Sequence, residues 1–205
     1  TWATATRATA APATVLAASP TPCAPAWTAW LNAAAVAVVV IAIPEVAAMV
    51  DQARVALVAG ATGLVGQAVL AALLTADTRK SSAAAAPGAA IHVLHGRGRR
   101  APALSHPRLQ LHAVDFAALP ALPPVDDVYI TLGTTMAAAG SRAAFRAVDY
   151  DAVMATARAA RAAGATRCGV VTAMGADAGS RIFYNRVKGE VERDLAGLGF
   201  ATLVI

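Results

Sequence analysis

A short apolar run at residues 55–59 ends in Gly60-Ala61-Thr62-Gly63-Leu64-Val65-Gly66, and an apolar helical pattern follows over 65–74. No other stretch constrains the fold as strongly, because the three glycines fall where a strand must turn sharply into a helix. The first permits the tight turn, the second lets the main chain approach a ligand's phosphates, and the third lets the helix sit close to the sheet. Unpaired N–H groups at the helix start, aided by its dipole, then favour a bound anion. The sequence therefore predicts a diphosphate resting over Gly60, Thr62, Gly63, Leu64, Val65 and Gly66. The plainer alternative is a glycine-rich turn that holds nothing.

Downstream, strand and helix patterns alternate. Short apolar or alternating runs predict strands at 91–94, 109–114, 125–132, 168–172 and 200–205, and longer patterns predict helices over 143–163, closing at Gly164, and over 184–195. The alanine-rich residues 83–90 read as a loop insertion. This alternation predicts an α/β fold with a doubly wound parallel sheet, the NAD(P)-binding Rossmann fold. The chain stops at Ile205, which suggests that the C-terminal substrate-binding part is cut short.

The first 48 residues differ in kind. They hold all three tryptophans, yet the only charges before residue 51 are Arg7 and Glu45. A low-complexity Ala/Thr/Pro leader, disordered or non-native, is expected there. The uncharged stretch 27–43 leaves open a membrane anchor or signal peptide, which Thr28 and Asn32 weaken. The dinucleotide-binding domain is placed at 49–205, with Met49 as an ordinary start. The net charge of +5 is spread along the chain without interleaved aromatics, which argues against a nucleic-acid surface. Cys23 and Cys168 make no disulfide framework, Cys168 reads as a buried strand thiol, and a cytoplasmic location is expected. The four histidines show no metal-ligand spacing.

After strand two, many such folds carry an acid that binds the ribose 2′-hydroxyl, whereas this chain has His95-Gly96-Arg97-Gly98-Arg99-Arg100. Guanidinium groups at Arg97 and Arg99 would pair with a 2′-phosphate, so NADP(H) is favoured and NAD(H) stays possible. A solvated basic turn is the alternative. Asp115 is placed either on the adenine amino group or as a cap of the turn at 116–119. Tyr184 and Lys188 lie one helical turn apart, and a nearby cation favours the phenolate, which suits proton exchange with a carbonyl or alcohol oxygen. Lys80 and Lys188 are the only lysines among 17 basic residues, which singles out the second. The competing reading is a surface helix with an i,i+4 pair. Thr172, 12 residues before Tyr184, completes a candidate catalytic set, or else bonds to nearby backbone as a strand-end threonine.

With these features in place, the chain resembles the atypical short-chain dehydrogenase/reductase superfamily, nearest its Tat-interacting-protein oxidoreductase and NmrA-like groups. The resemblance rests on 58–66, Leu132-Gly133-Thr134-Thr135, Val148-Asp149, Gly175-Ala176-Asp177 and 184–190. It implies that Leu132, Gly133 and Thr134 line the cofactor, that Tyr184 is the acid/base and that Lys188 holds the nicotinamide ribose. Two residues depart from the pattern. Ala173 follows Thr172 where relatives often have paired serines, and Asp149 stands where the wider superfamily often has asparagine. Two functions remain open: an oxidoreductase acting on a small carbonyl or alcohol, and a non-catalytic NADP(H) sensor that reports to a protein partner. A homo-oligomer is compatible with either.

Overall fold

The computed structural model describes residues 54–78, 89–98, 101–102 and 104–205. The expected leader at 1–48, the uncharged stretch 27–43, most of the loop at 83–90, and Arg99 and Arg100 lie outside the described residues. Among the described residues no helix is long and apolar enough to cross a membrane.

Six strands form one sheet: β1 (Ala56–Ala59), β2 (Ile91–Gly96), β3 (Leu109–Val114), β4 (Asp127–Ile130), β5 (Arg167–Val170) and β6 (Thr202–Val204). They lie in the order β3-β2-β1-β4-β5-β6, and every neighbouring pair is parallel. The central strands are short and apolar because a parallel sheet is covered on both faces and leaves no polar side for alternation. All four residues of β1 and all four of β4 are buried.

Among the described residues the helices are α1 (Leu64–Thr78), α2 (Met136–Ala139), α3 (Arg142–Arg146), α4 (Val153–Ala162) and α5 (Phe183–Ala196), with a π-helical turn at Ala147–Ala152 between α3 and α4. Alternate residues of a strand face opposite ways, so β1 serves two cores. Ala56 and Val58, with Ile91, Val93 and Tyr129, pack against Val69, Leu70 and Leu73 of α1. Leu57 and Ala59, with Leu94, Ile130 and Cys168, pack against Val153, Met154 and Ala157 of α4 and Val191 and Leu195 of α5. Each fully buried Leu or Ile in these layers contributes about 1.5–3 kcal/mol. The expected α/β, doubly wound parallel sheet is the observed fold.

Two boundaries differ in a way that matters for the site. The expected helix over 143–163 forms over 142–162, with Ser141 capping its start by accepting from the Ala144 amide, but a π turn at Ala147–Ala152 replaces the α ladder in its middle. An alanine-rich segment hides such a bulge, because one extra residue per turn does not disturb a pattern with few polar marks. Strand β4 ends at Ile130, short of the expected 132, so residues 131–134 leave the sheet as irregular chain. Those residues wall the cleft described next.

Candidate cofactor cleft

The strand order reverses between β1 and β4, since β1 continues to β2 on one side while β4 continues to β5 on the other. Ligands of open α/β sheets bind outside the carboxyl ends of the strands at such a switch point. A cleft of about 520 Å³ opens there, lined by Gly60, Thr62 and Gly63 after β1, by Leu94, His95 and Gly96 of β2, and by Phe116. Its far wall is Thr131, Leu132, Gly133 and Thr134 after β4, with Ala147, Val148 and Ala152 of the π turn.

The glycine loop is built as the sequence implied. Gly60 has a φ of +91°, and a Cβ there would lie 2.7 Å from the Thr131 carbonyl carbon and oxygen. A Cβ on Gly66 would lie 2.3 Å from the Gly60 carbonyl oxygen. Gly60 therefore allows the turn to press against β4, and Gly66 allows α1 to press against the turn. The Gly63 amide donates to the Gly60 carbonyl at 3.0 Å, and the Gln67 amide to Gly63 at 3.0 Å, so the loop passes directly into helix. Leu64, Val65 and Gly66 belong to the first turn of α1 and do not line the cleft; Val65 packs against the α1-side core.

This cradle fits a dinucleotide: a tight turn with glycine at both ends, leading straight into a helix, beside a largely apolar wall. One polar atom in that wall, His95 Nδ1, is buried and has no hydrogen-bond partner among the described residues. Arg97 lies in the exposed turn just beyond Gly96, and its amide donates to the Val114 carbonyl at 2.9 Å. Asp115 is exposed, and its Oδ1 accepts from the Ala117 amide at 2.9 Å. Of its two sequence readings, the turn cap is the one with a bond in the structure, and Phe116 rather than Asp115 lines the cleft.

Tyr184 and Lys188 stand in the first two turns of α5. The Tyr184 ring is half-buried and packs on Phe145 of α3, with ring centres 5.5 Å apart. Lys188 is buried, and its Nζ lies 2.7 Å from Asp149 Oδ1 in the π turn, while Asp149 Oδ2 accepts from the Thr134 amide at 2.8 Å. Gly133 covers this pair, since a Cβ there would lie 3.4 Å from Asp149 Oδ1 and 3.8 Å from Lys188 Nζ. The surface helix with a solvated i,i+4 pair is thus not what the chain forms. Gly189 has its own reason: a Cβ would meet the Ala178 amide nitrogen at 2.2 Å, so only glycine lets the 175–180 loop close over α5.

Thr172 is placed differently from the other two. Its hydroxyl donates to Glu192 Oε1 at 2.5 Å, two helical turns beyond Tyr184. Sequence reasoning passed over His95, Gly96, Phe116 and Thr131 as cleft residues. A strand that ends at a switch point was the available signal for them. Asp149 was noticed only as a departure from a pattern, and its bond to Lys188 has no signature in the spacing. Cys168 is a free, buried thiol, as expected, and burial pushes its pKa up to about 12.

No protein-family model matches the chain. The chain is 35% identical over 153 residues to a mitochondrial FMP52 protein of Eremothecium gossypii, covering 73% of this chain and 63% of that protein. A mitochondrial fmp52 protein of Emericella nidulans is 34% identical over 163 residues, covering 75% of this chain and 64% of the relative. The chain thus spans a little under two thirds of these relatives. Among solved structures, the Bordetella bronchiseptica enzyme WbmH in complex with NAD+ matches with a TM-score of 0.56 at 12% identity, over 74% of this chain and 55% of that one. A UDP-galactose 4-epimerase matches with a TM-score of 0.55 at 13% identity, over 73% and 54%. At such identity these structures bear on the fold alone, which is the α/β Rossmann type.

The relatives overturn one expectation. They are named as mitochondrial proteins, so the cytoplasmic location drawn from cysteine usage does not stand. The physical reason is plain: lacking a disulfide framework argues against an oxidising compartment, and does not choose among reducing ones.

Proposed function

We propose that the chain is the coenzyme-binding part of an NAD(P)-dependent oxidoreductase that interconverts a small carbonyl and its alcohol. The observation that carries this reading is the tie between the cleft wall and α5. Gly133 and Thr134 line the cleft, and the Thr134 amide is bonded through Asp149 to Lys188, one turn from Tyr184. A nicotinamide bound in the cleft would supply or accept the hydride. Gly60, Thr62 and Gly63 hold the diphosphate on backbone amides, Lys188 binds the nicotinamide ribose, and the Tyr184 hydroxyl exchanges a proton with the substrate oxygen.

Arg97, with Arg99 beyond it, favours NADP(H) through pairing with a 2′-phosphate, and His95 offers an unused polar atom on the same side. NAD(H) is the other candidate, since solved neighbours are described with NAD. By relation to the FMP52 proteins, the site of action is mitochondrial.

A second reading has its own support. Thr172 gives its hydroxyl to Glu192, which leaves Tyr184 without that helper and favours a coenzyme-sensing module of the NmrA-like kind, working through a protein partner. Titration with NADPH and NADH, then assay against aldehydes and ketones, separates the two. The enzyme reading expects saturable binding, turnover, and a loss of about 10²–10⁴-fold in Tyr184→Phe without loss of binding. Binding without turnover in either protein would move the assignment to the sensor. Absence of binding by folded protein overturns both. Arg97→Ala should weaken NADPH more than NADH, and equal weakening removes the NADP(H) preference.

A further inference from the structure

We infer that Asp149 is a positioning residue for the cleft, holding the Lys188 ammonium and the Thr134 amide at once so that α5 and the loop after β4 present one prepared surface to the coenzyme. The inference rests on the coenzyme-binding reading and adds a residue and a mechanism to it.

Both oxygens of the carboxylate are used, Oδ1 on Lys188 Nζ at 2.7 Å and Oδ2 on the Thr134 amide at 2.8 Å. The Asp149 side chain is fully buried and that of Lys188 is 5% exposed, so neither charge has water to turn to. A buried ammonium without a counter-ion is strongly unfavourable, and its carboxylate therefore fixes where it sits. The backbone is adapted to this contact. Asp149 lies inside the π-helical turn, a bulge that departs from the regular ladder, while its neighbour Val148 lines the cleft. Bulges of this kind are rare and lie frequently at functional sites. Gly133, which lines the cleft, packs against the pair with backbone alone, since a Cβ there would lie 3.4 Å from Asp149 Oδ1 and 3.8 Å from Lys188 Nζ. An asparagine would not substitute: with its oxygen on the Thr134 amide, its NH₂ group would face Lys188 Nζ, donor against donor.

The test is a four-cornered comparison of wild type, Asp149→Asn, Lys188→Met and the double variant, reading NADPH affinity by fluorescence and melting temperature. If Asp149 acts through Lys188, Asp149→Asn weakens NADPH about tenfold in the wild-type background. In the Lys188→Met background it changes affinity by less than about twofold, because the charge it serves is gone. Equal weakening in both backgrounds overturns the inference and leaves Asp149 a fold residue. Asp149→Glu guards against an unfolded variant. It keeps the charge and moves the carboxylate by one methylene, and should show the same loss of affinity with a melting temperature near wild type; unchanged affinity also overturns the inference.

If wild type binds no NADPH, the proposed function fails, and two readouts on the ligand-free protein still decide the inference. Lys188 should acylate faster in Asp149→Asn than in wild type, and the Thr134 amide should exchange faster in Asp149→Ala than in Asp149→Asn. No difference in either would show that Asp149 positions nothing.

Discussion

Among the described residues two aspartates are buried against cations, one at each end of the sheet. At the amino ends of the strands, Asp127 of β4 accepts from Arg54 Nε at 3.0 Å and from Arg167 Nε and Nη2 at 2.8 and 2.6 Å. At the carboxyl ends, Asp149 holds Lys188 and a loop amide. The first carboxylate is saturated by two guanidiniums from chain flanking β1 and starting β5, and its geometry is that of a clamp across three neighbouring strands. The second is shared between a helix and a loop, and Gly133 of the cleft wall lies against it. Burial of a charge pair therefore does not by itself mark a site. Position relative to the strand ends, and what lies over the pair, distinguish the two.

The largest expected effect comes from spoiling the carboxyl end. In Gly66→Ala the new Cβ meets the Gly60 carbonyl oxygen and Ala61 Cα, both backbone atoms. Neither can swing aside, so α1 must move off the glycine turn. Overpacking of this kind costs about 1–3 kcal/mol, roughly 2–12 °C in melting temperature for a chain of this size. The displaced helix start should also weaken NADPH about 100-fold or more, a loss of some 2.7 kcal/mol. Affinity within about threefold of wild type, a difference under 1 kcal/mol, would mean that the phosphates do not rest on this turn.

At the amino end the two readouts should separate. Asp127→Ala leaves two guanidiniums at the sheet floor without their carboxylate, at a cost near the lower end of about 3–5 kcal/mol because Arg54 is 26% exposed. Denaturant unfolding checks that figure. Coenzyme affinity of the folded fraction should change by less than about twofold, because well-separated sites without shared partners behave additively. A tenfold change in affinity would break the distinction between clamp and site.

The difference between the two ends also explains what could be read from the sequence. The sheet, its parallel order and the glycine cradle follow from local signals: short apolar or alternating strands of four to six residues, and a turn where a side chain would collide with backbone. Tyr184 and Lys188 were legible because the chain writes arginine almost everywhere else. The Asp149–Lys188 pair was not, for a physical reason. It joins residues 39 positions apart through a one-turn bulge, and neither a bulge among alanines nor a long-range partner changes the periodicity. The Asp127 clamp was hidden in the same way. Thr172 shows the same limit from another direction: its sequence position places it just after β5, yet the bond that it makes is to Glu192 and depends on how the helix packs.

The smallest expected effect lies away from both aspartates, on the two strands at the sheet's outer edge. His92 of β2 is buried, and its Nδ1 lies 3.0 Å from Nε2 of His112 on β3. Burial, and then the neighbouring His112, hold the His92 pKa below its ordinary 6.5. The unfolded chain therefore takes up a proton that the folded chain refuses. Between the ordinary value and the lowered one, stability falls as pH falls; below the lowered value the loss levels off, since both states are then protonated. Melting curves from pH 7.5 to 5 should show this decline, and His92→Gln should flatten it by an amount on the order of a few °C. An unchanged slope would remove His92 as a source of the acid sensitivity. Since neither histidine is among the residues lining the cleft, NADPH affinity at neutral pH should be the same in His92→Gln and wild type, which separates an edge that tunes stability from a mouth that binds.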